Sequence, residues 1–171
     1  MTIQVREVHP DEYTTLGEVT VAAYRTVGED DPRYLDFVRD VATRAAICPV
    51  LVAVDATGRV LGGVTYVPGP GTPYSESEFE GEAAFRMLAV DPAAQGRGVG
   101  RMLVLACIDR ARADRRSRLV LLTRPFMRSA HGLYTGLGFR RAPERDWEPE
   151  PGLELLGYEL DLDPAIDPPG A

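Results

Sequence analysis

The sequence predicts a mixed α/β fold, with a sheet of about seven strands flanked by about four helices. Three observations carry that expectation. Short runs of β-branched or alternating apolar residues recur along the chain, amphipathic stretches of helical spacing fall between them, and proline, glycine and aspartate punctuate nearly every junction. No internal repeat is visible, so the elements build a unique fold rather than a solenoid.

The elements follow in order. Ile3, Val5 and Val8 alternate with polar neighbours as an opening strand, which Pro10-Asp11 ends. Tyr13, Leu16, Val19, Ala23 and Tyr24 then recur at helical spacing, and Tyr34, Phe37, Val38 and Val41 do so again after Asp31-Pro32. Val50 to Val54 and Val60 to Val67 flank the turn Asp55 to Gly58 and predict a hairpin. Pro68 to Gly81 reads as an exposed loop. Ala83 to Val90 predicts a central strand, and the glycine cluster after it leads into a helix ending near Asp114. Arg118 to Thr123 is an apolar strand, Ser129 to Leu137 a short helix, Gly138 to Arg140 the start of another strand, and Leu153 to Leu162 the last. Residues 1–163 are expected to form one domain, and the proline-rich tail 164–171 to be disordered.

Composition narrows the function. A net charge of -7 opposes attraction to phosphate backbones, so no nucleic-acid partner is expected. No apolar run approaches the roughly 20 residues of a membrane span, and the first residues lack the apolar stretch of a signal peptide. A cytoplasmic protein without a membrane partner is the simplest expectation. Cys48 and Cys107 sit among apolar residues and read as buried packing groups, and no cysteine or histidine cluster implies a metal. All 19 basic residues are arginine.

The stretch from Leu88 to Arg101 packs strand, glycine turn and helix start together, an arrangement that binds phosphate. The first amides of a helix lack partners and carry partial positive charge, and glycines let oxygens approach the backbone. Two familiar phosphate loops are excluded by spacing. Counting a dinucleotide fingerprint from Gly96 would require glycine or alanine where Arg101 stands, and a Walker loop requires the lysine this chain lacks.

Gln95-Gly96-Arg97-Gly98-Val99-Gly100 resembles the Q/R-x-x-G-x-G/A motif of the GNAT acetyltransferase superfamily, and Leu133-Tyr134 to Gly138-Phe139 resembles its later L-Y-x-x-x-G-F element. The order of elements agrees across nearly the whole chain. The resemblance implies the GNAT fold, a strongly twisted mixed sheet in which the strands Ala83–Val90 and Arg118–Thr123 splay and admit acetyl-CoA as co-substrate. It implies that the backbone of Leu88, Ala89 and Val90 pairs with the pantetheine amides. Gln95, Gly96, Arg97, Gly98, Val99, Gly100 and Arg101 would hold the pyrophosphate, with Ser129 and Tyr134 further along the cofactor. Arg128 stands where the family often has asparagine.

Acyl transfer from a thioester to an amine needs a neutral amine, oxyanion stabilisation and a proton for the leaving thiolate. No cysteine intermediate is required, and neither cysteine has a basic partner nearby in sequence. By the resemblance Tyr134 is the general acid, the alternative being a packing aromatic. Glu82 is the first choice as general base, because strand alternation places it with Ala84, Arg86, Leu88 and Val90 unless a bulge intervenes. An ordinary strand-end glutamate or a water relay are the alternatives. His131 reads as an exposed helix residue. Trp147, Tyr66, Tyr74 and Phe79 wall an acceptor pocket or belong to core or dimer packing, which leaves a homodimer open.

The expected partners are thus acetyl-CoA and a primary amine. Glu76, Glu78, Glu80 and Glu82 favour a cationic amine if they face the acceptor, and otherwise form a solvated acidic loop. A non-catalytic acyl-CoA sensor is the competing function.

Overall fold

Valine-rich strands set the architecture. β2 (Val50–Asp55) and β3 (Val60–Val67) form an antiparallel hairpin, pairing Val50 with Thr65 and Ala53 with Gly62 before the register shifts at Val54. β1 (Ile3–Glu7) adds to the far side of β2, from Ile3 opposite Asp55 to Glu7 opposite Leu51. β3 is buried along its whole length, the continuous apolar composition expected of a strand covered on both faces. The computed structural model describes residues 2–162; the expected tail lies outside them.

The full sheet has seven strands in the order β1-β2-β3-β4-β5-β7-β6, completed by β4 (Glu82–Val90), β5 (Arg118–Thr123), β6 (Arg140–Arg141) and β7 (Leu156–Asp161). The chain divides into two compact units, residues 2–67 with 85–107 and residues 68–84 with 108–162, so β4 contributes to both.

In the first unit, α1 (Tyr13–Thr26) buries Leu16, Gly17, Thr20, Val21 and Tyr24, one stripe at helical spacing. Leu16 joins Val41, Val50, Val52, Val54 and Val60 in a core cluster. The second sequence-predicted helix is two helices, α2 (Pro32–Arg39) and α3 (Val41–Ala45), which makes five α-helices among the described residues where about four were expected. Asp40 is the reason. Its ψ of 78° leaves the helical region, and its carboxylate accepts the Thr43 N–H at 3.1 Å to cap the new helix. Phe37 therefore stays partly exposed, with the Arg86 guanidinium 5.9 Å from its ring centre. α4 (Val99–Ala113), which the division crosses after Cys107, buries Val99, Leu103, Val104, Cys107, Ile108 and Ala111, whereas Leu105 is exposed.

In the second unit, β5 and β7 pair antiparallel from Arg118 opposite Asp161 to Thr123 opposite Leu156, and the short β6 covers the other edge of β7. β4 pairs parallel with β5 only at Glu82–Arg118, Ala83–Leu119 and Ala84–Val120, although both strands continue. α5 (Arg128–Gly136) begins without a side-chain cap; Ser129 lies within its first turn rather than at the capping position. The segment 68–81 is less exposed than its composition suggests, because Tyr74 is buried and Thr72, Ser75 and Gly69 bond one another.

Gly62 marks the tightest strand contact of the first unit. A Cβ there would collide with the Ala89 carbonyl of β4 and crowd Val90. Gly62→Ala should lower stability by about 1–3 kcal/mol, the usual cost of overpacking. Gly132→Ala, in α5 with nothing within 4 Å of the added carbon, should be neutral or slightly stabilising. Urea midpoints of the two variants check this ordering.

Candidate active site

The first unit carries the glycine loop. β4 runs into it through Met87, a non-glycine residue at φ 55°, just before Leu88, Ala89 and Val90. Such a conformation costs on the order of 1 kcal/mol and persists where its surroundings hold it. Beyond Met87, Ala89 is buried, while Leu88 and Val90 are half-buried.

Asp91 fixes where the loop begins. Its N–H donates to the Leu61 carbonyl at 2.8 Å, its Oδ1 accepts the Ala93 N–H at 2.9 Å, and its Oδ2 accepts from Arg59 at 2.8 Å. The Ala93 amide, seconded by Arg59 and opposed by burial, holds this carboxyl below the usual aspartate range. One 3-10 turn, Pro92–Ala94, follows, with Ala94 fully buried as its anchor. Gly96 and Gly98 both take φ 80°, and a Cβ on either would meet nothing within 4 Å. Backbone angle, not crowding, demands glycine at these two positions. Their outer face is open.

α4 then starts, and the Met102 N–H to Gly98 carbonyl bond of 3.0 Å is its first turn. The amides of Val99, Gly100 and Arg101 precede that bond, so no carbonyl one turn back is available to them. Val99 is buried, Arg97 half-buried, and Gln95 and Arg101 are exposed. A diphosphate is the kind of group such an open helix start attracts.

The second unit gathers titratable side chains. Glu82, 6% exposed, accepts from Arg145 Nη2 at 2.7 Å on Oε1 and from the Ser77 hydroxyl at 2.9 Å on Oε2. Arg145 Nε donates to Glu159 Oε2, also at 2.7 Å, and Glu159 is 2% exposed. Arg140 bonds the other Glu159 oxygen, and Arg118 lies 3.7 Å from Glu82 and 3.9 Å from Glu159 while bonding Asp161 at 2.7 Å. Burial works against the charge of Arg145, but its bonds to Glu82 and Glu159 prevail and raise it above the ordinary arginine range. Asp161 is lowered chiefly by its bond from Arg118.

Tyr134 is 5% exposed in α5, its ring centre 5.9 Å from those of Phe139 and Tyr158. His131 stacks on Tyr158 at 5.5 Å, and its Nε2 lies 3.0 Å from the Arg124 carbonyl. A carbonyl only accepts, so that nitrogen carries the proton. His131 is half-buried, not the exposed residue its sequence position suggests.

A pocket of about 220 Å³ in the same unit is lined by Glu76, Ser77, Glu78, Phe79, Val120–Leu122, Glu144 and Arg145. Glu76 accepts the Leu122 N–H at 3.2 Å, on the stretch of β5 beyond its last pair with β4. Of the aromatic residues singled out from the sequence, Phe79 lines this pocket and is 66% exposed, whereas Tyr66 and Tyr74 are core residues and Trp147 lies on the surface. A larger cavity of about 490 Å³, around Arg25, Glu29, Asp30, Asp36 and Arg39, contains none of the residues singled out. His9, Asp11 and Glu12 bring possible ligand atoms within 4.8 Å of one another, but both Glu12 oxygens already hold Arg6.

The acetyltransferase (GNAT) family model matches residues 6–139. The chain belongs to this acetyltransferase family. Curated relatives from Pseudomonas aeruginosa and Pseudomonas paraeruginosa, both L-methionine sulfoximine/L-methionine sulfone acetyltransferases, are 32% identical over 124 residues, 71% of this chain and 69% of theirs. A GCN5-related N-acetyltransferase structure from Kribbella flavida is 26% identical with a TM-score of 0.68, covering 93% of this chain and 97% of that one. A GNAT family acetyltransferase from Brucella melitensis, solved in complex with acetyl-CoA, shares the fold at 24% identity and a TM-score of 0.65, over 95% and 90% of the two chains.

The sequence motifs of this GNAT protein pointed to the glycine loop, Glu82 and Tyr134. They gave no sign of Ser77 or Glu159 and no role to Arg145. Glu159 stands between Tyr158 and Leu160 in a strand that also carries Asp161.

Asp91 gives a pH-dependent test of the loop's anchor. Asp91→Ala should cost about 1 kcal/mol at neutral pH, the usual loss for a cap. Because the folded carboxyl is held low, the wild-type advantage should be complete above about pH 4 and fade as pH falls through that depressed value. Urea midpoints from pH 7 to pH 2 measure it, and a constant gap would assign the cost to packing instead.

Proposed function

We propose that this chain moves the acetyl group of acetyl-CoA to a primary amine of a small molecule by direct attack. The observation that carries the reading is the helix-initiating loop Gln95–Arg101, with Gly96 and Gly98 both at φ 80° and open outward, in a member of an acetyltransferase family. The loop amides take the pyrophosphate, and Arg97 and Arg101 add positive charge. The backbone of Leu88, Ala89 and Val90 pairs with the pantetheine amides, which repeat much as peptide groups do. Ser129 adds a hydroxyl in the first turn of α5.

Glu82 takes the proton from the acceptor ammonium, directly or through water. The neutral amine then attacks the thioester carbonyl, the nitrogen of the tetrahedral intermediate loses its second proton to water, Glu82 releases its proton to solvent, and collapse of the intermediate breaks the carbon–sulfur bond. Tyr134 gives its proton to the departing thiolate and is reprotonated from solvent. The products are an amide and CoA. A cytoplasmic setting supplies the acetyl-CoA.

The Pseudomonas relatives are named for methionine sulfoximine and methionine sulfone, small molecules bearing an α-amine, which supports a small-molecule acceptor. Glu76, Glu78 and Glu144 around the pocket of the second unit favour an acceptor with positive charge. Carboxylates at a pocket rim raise the local concentration of cations, and salt screens that attraction.

Thiol release from acetyl-CoA, measured against L-methionine sulfone, spermidine, an aminoglycoside and a neutral peptide N-terminus at low and high ionic strength, tests the proposal. Turnover of at least one amine is expected, with cationic acceptors favoured at low salt. Acetyl-CoA binding without thiol release for any amine would favour a sensor. Gly98→Val should remove calorimetric acetyl-CoA binding while the protein stays folded, since valine tolerates φ 80° poorly. Tyr134→Phe should lower kcat about 10²-fold with little change in acetyl-CoA affinity. An unchanged rate, with chemistry limiting, would leave Tyr134 as a packing residue.

A further inference from the structure

We propose that Arg145 is a positioning residue for acetyl transfer: its guanidinium clamps Glu82 to Glu159 and keeps the base fixed beside the acceptor pocket. This rests on the reading of Glu82 as the base.

The clamp is held at both ends. Arg145 donates Nη2 to Glu82 and Nε to Glu159, both at 2.7 Å, so the side chain cannot swing without breaking two bonds to buried carboxylates. Its backbone is equally constrained. Arg145 ends the single turn Pro143–Arg145, which is tied to β7 by the Ala142 N–H to Gly157 carbonyl bond of 2.9 Å. A Cβ at Gly157 would lie 2.5 Å from the Arg145 Cβ and 2.8 Å from the Ala142 carbonyl oxygen. The turn can sit so close to β7 only because that residue is glycine.

Gripped this way, Glu82 keeps the capacity to act. A carboxylate offers about four lone-pair sites. Arg145 and Ser77 occupy one on each oxygen, which leaves sites for a substrate ammonium or a water. Both gripping residues also line the 220 Å³ pocket that holds Glu76, Glu78 and Phe79. An amine entering that pocket meets the residues that orient the base.

Charge makes the role more than mechanical. The charged and polar groups facing Glu82 are Arg145 from the turn, Ser77 from the loop, Arg118 from β5 at 3.7 Å and, across Arg145, Glu159 from β7. Without Arg145, Glu82 would keep only Arg118 as a cation, 3.7 Å away and itself committed to Asp161, while Glu159 kept Arg140. Burial and like charge both favour the protonated form of a carboxyl that has lost a compensating cation, and a protonated carboxyl is no base. Lysine cannot replace the clamp, because one nitrogen cannot reproduce the planar fork that spans two carboxylates.

The test is the pH dependence of kcat/KM for Arg145→Lys and Arg145→Gln in the full chain, with the fastest acceptor of the amine panel, alongside acetyl-CoA affinity by calorimetry. The expected result is an acid limb moved to higher pH by about one unit or more in the glutamine variant, a kcat at least about tenfold lower, and acetyl-CoA affinity within about twofold of wild type. Glu159→Gln should move the acid limb the other way, because it removes the competing carboxylate while leaving Arg145 on Glu82. It also keeps the test open if Arg145→Gln fails to fold. A lower rate with an unmoved acid limb in the Arg145 and Glu159 variants would overturn the positioning role. Wild-type rate and pH profile in Glu82→Gln would overturn the base assignment itself, and the two failures are thereby distinct.

Discussion

Two carboxylates buried in the second unit, Glu82 on β4 and Glu159 on β7, impose most of what surrounds them. A carboxylate taken out of water must be ion-paired and hydrogen-bonded or lose its charge. Arg118 on β5, Arg140 on β6 and Arg145 in the turn before β7 supply that pairing, and each comes from a different element. Asp161 completes the set, three carboxylates against three guanidiniums. The short β6, the turn at Pro143–Arg145 and the glycine at 157 follow from the need to bring those cations close. Removing one partner of such a set costs more than the pair contributes, because the other charge stays buried.

The first unit solves a different problem with neutral backbone. Its glycine loop opens α4, and the side-chain bonds of Asp91 anchor the chain one turn earlier. Asp91 ties the strand end to Leu61, Ala93 and Arg59, and Ala94 is buried beneath the loop. These bonds hold the chain just before Gly96 and Gly98. Met87, held at positive φ, adds a bend to the same strand in advance of the three residues whose backbone is proposed to meet the cofactor.

The same strand serves both arrangements. Glu82 opens it among the ionic groups and Val90 closes it at the glycine loop. Its parallel pairing with β5 ends after Ala84, where the division between the two units also falls. Family membership in the GNAT acetyltransferases accounts for the order of these elements, and the physical chemistry of each accounts for the residues found in it.

By itself the sequence determined the strands, the helices and the glycine loop, because these rest on local periodicity, β-branched composition and the conformational demands of glycine and proline. Val50 to Val67 as a hairpin and Gln95 to Arg101 as a helix-initiating loop needed no distant contact to be legible. It misjudged what depends on a single capping side chain, as at Asp40, which splits one expected helix into α2 and α3. Tertiary structure alone decided the company of Glu82. Arg145 and Glu159 lie far from it in sequence, no periodicity links them, and a lone glutamate in a strand reads the same whether it faces water or a buried guanidinium. Ion pairing across strands is set by register and by where a turn packs, and those are properties of the assembled fold.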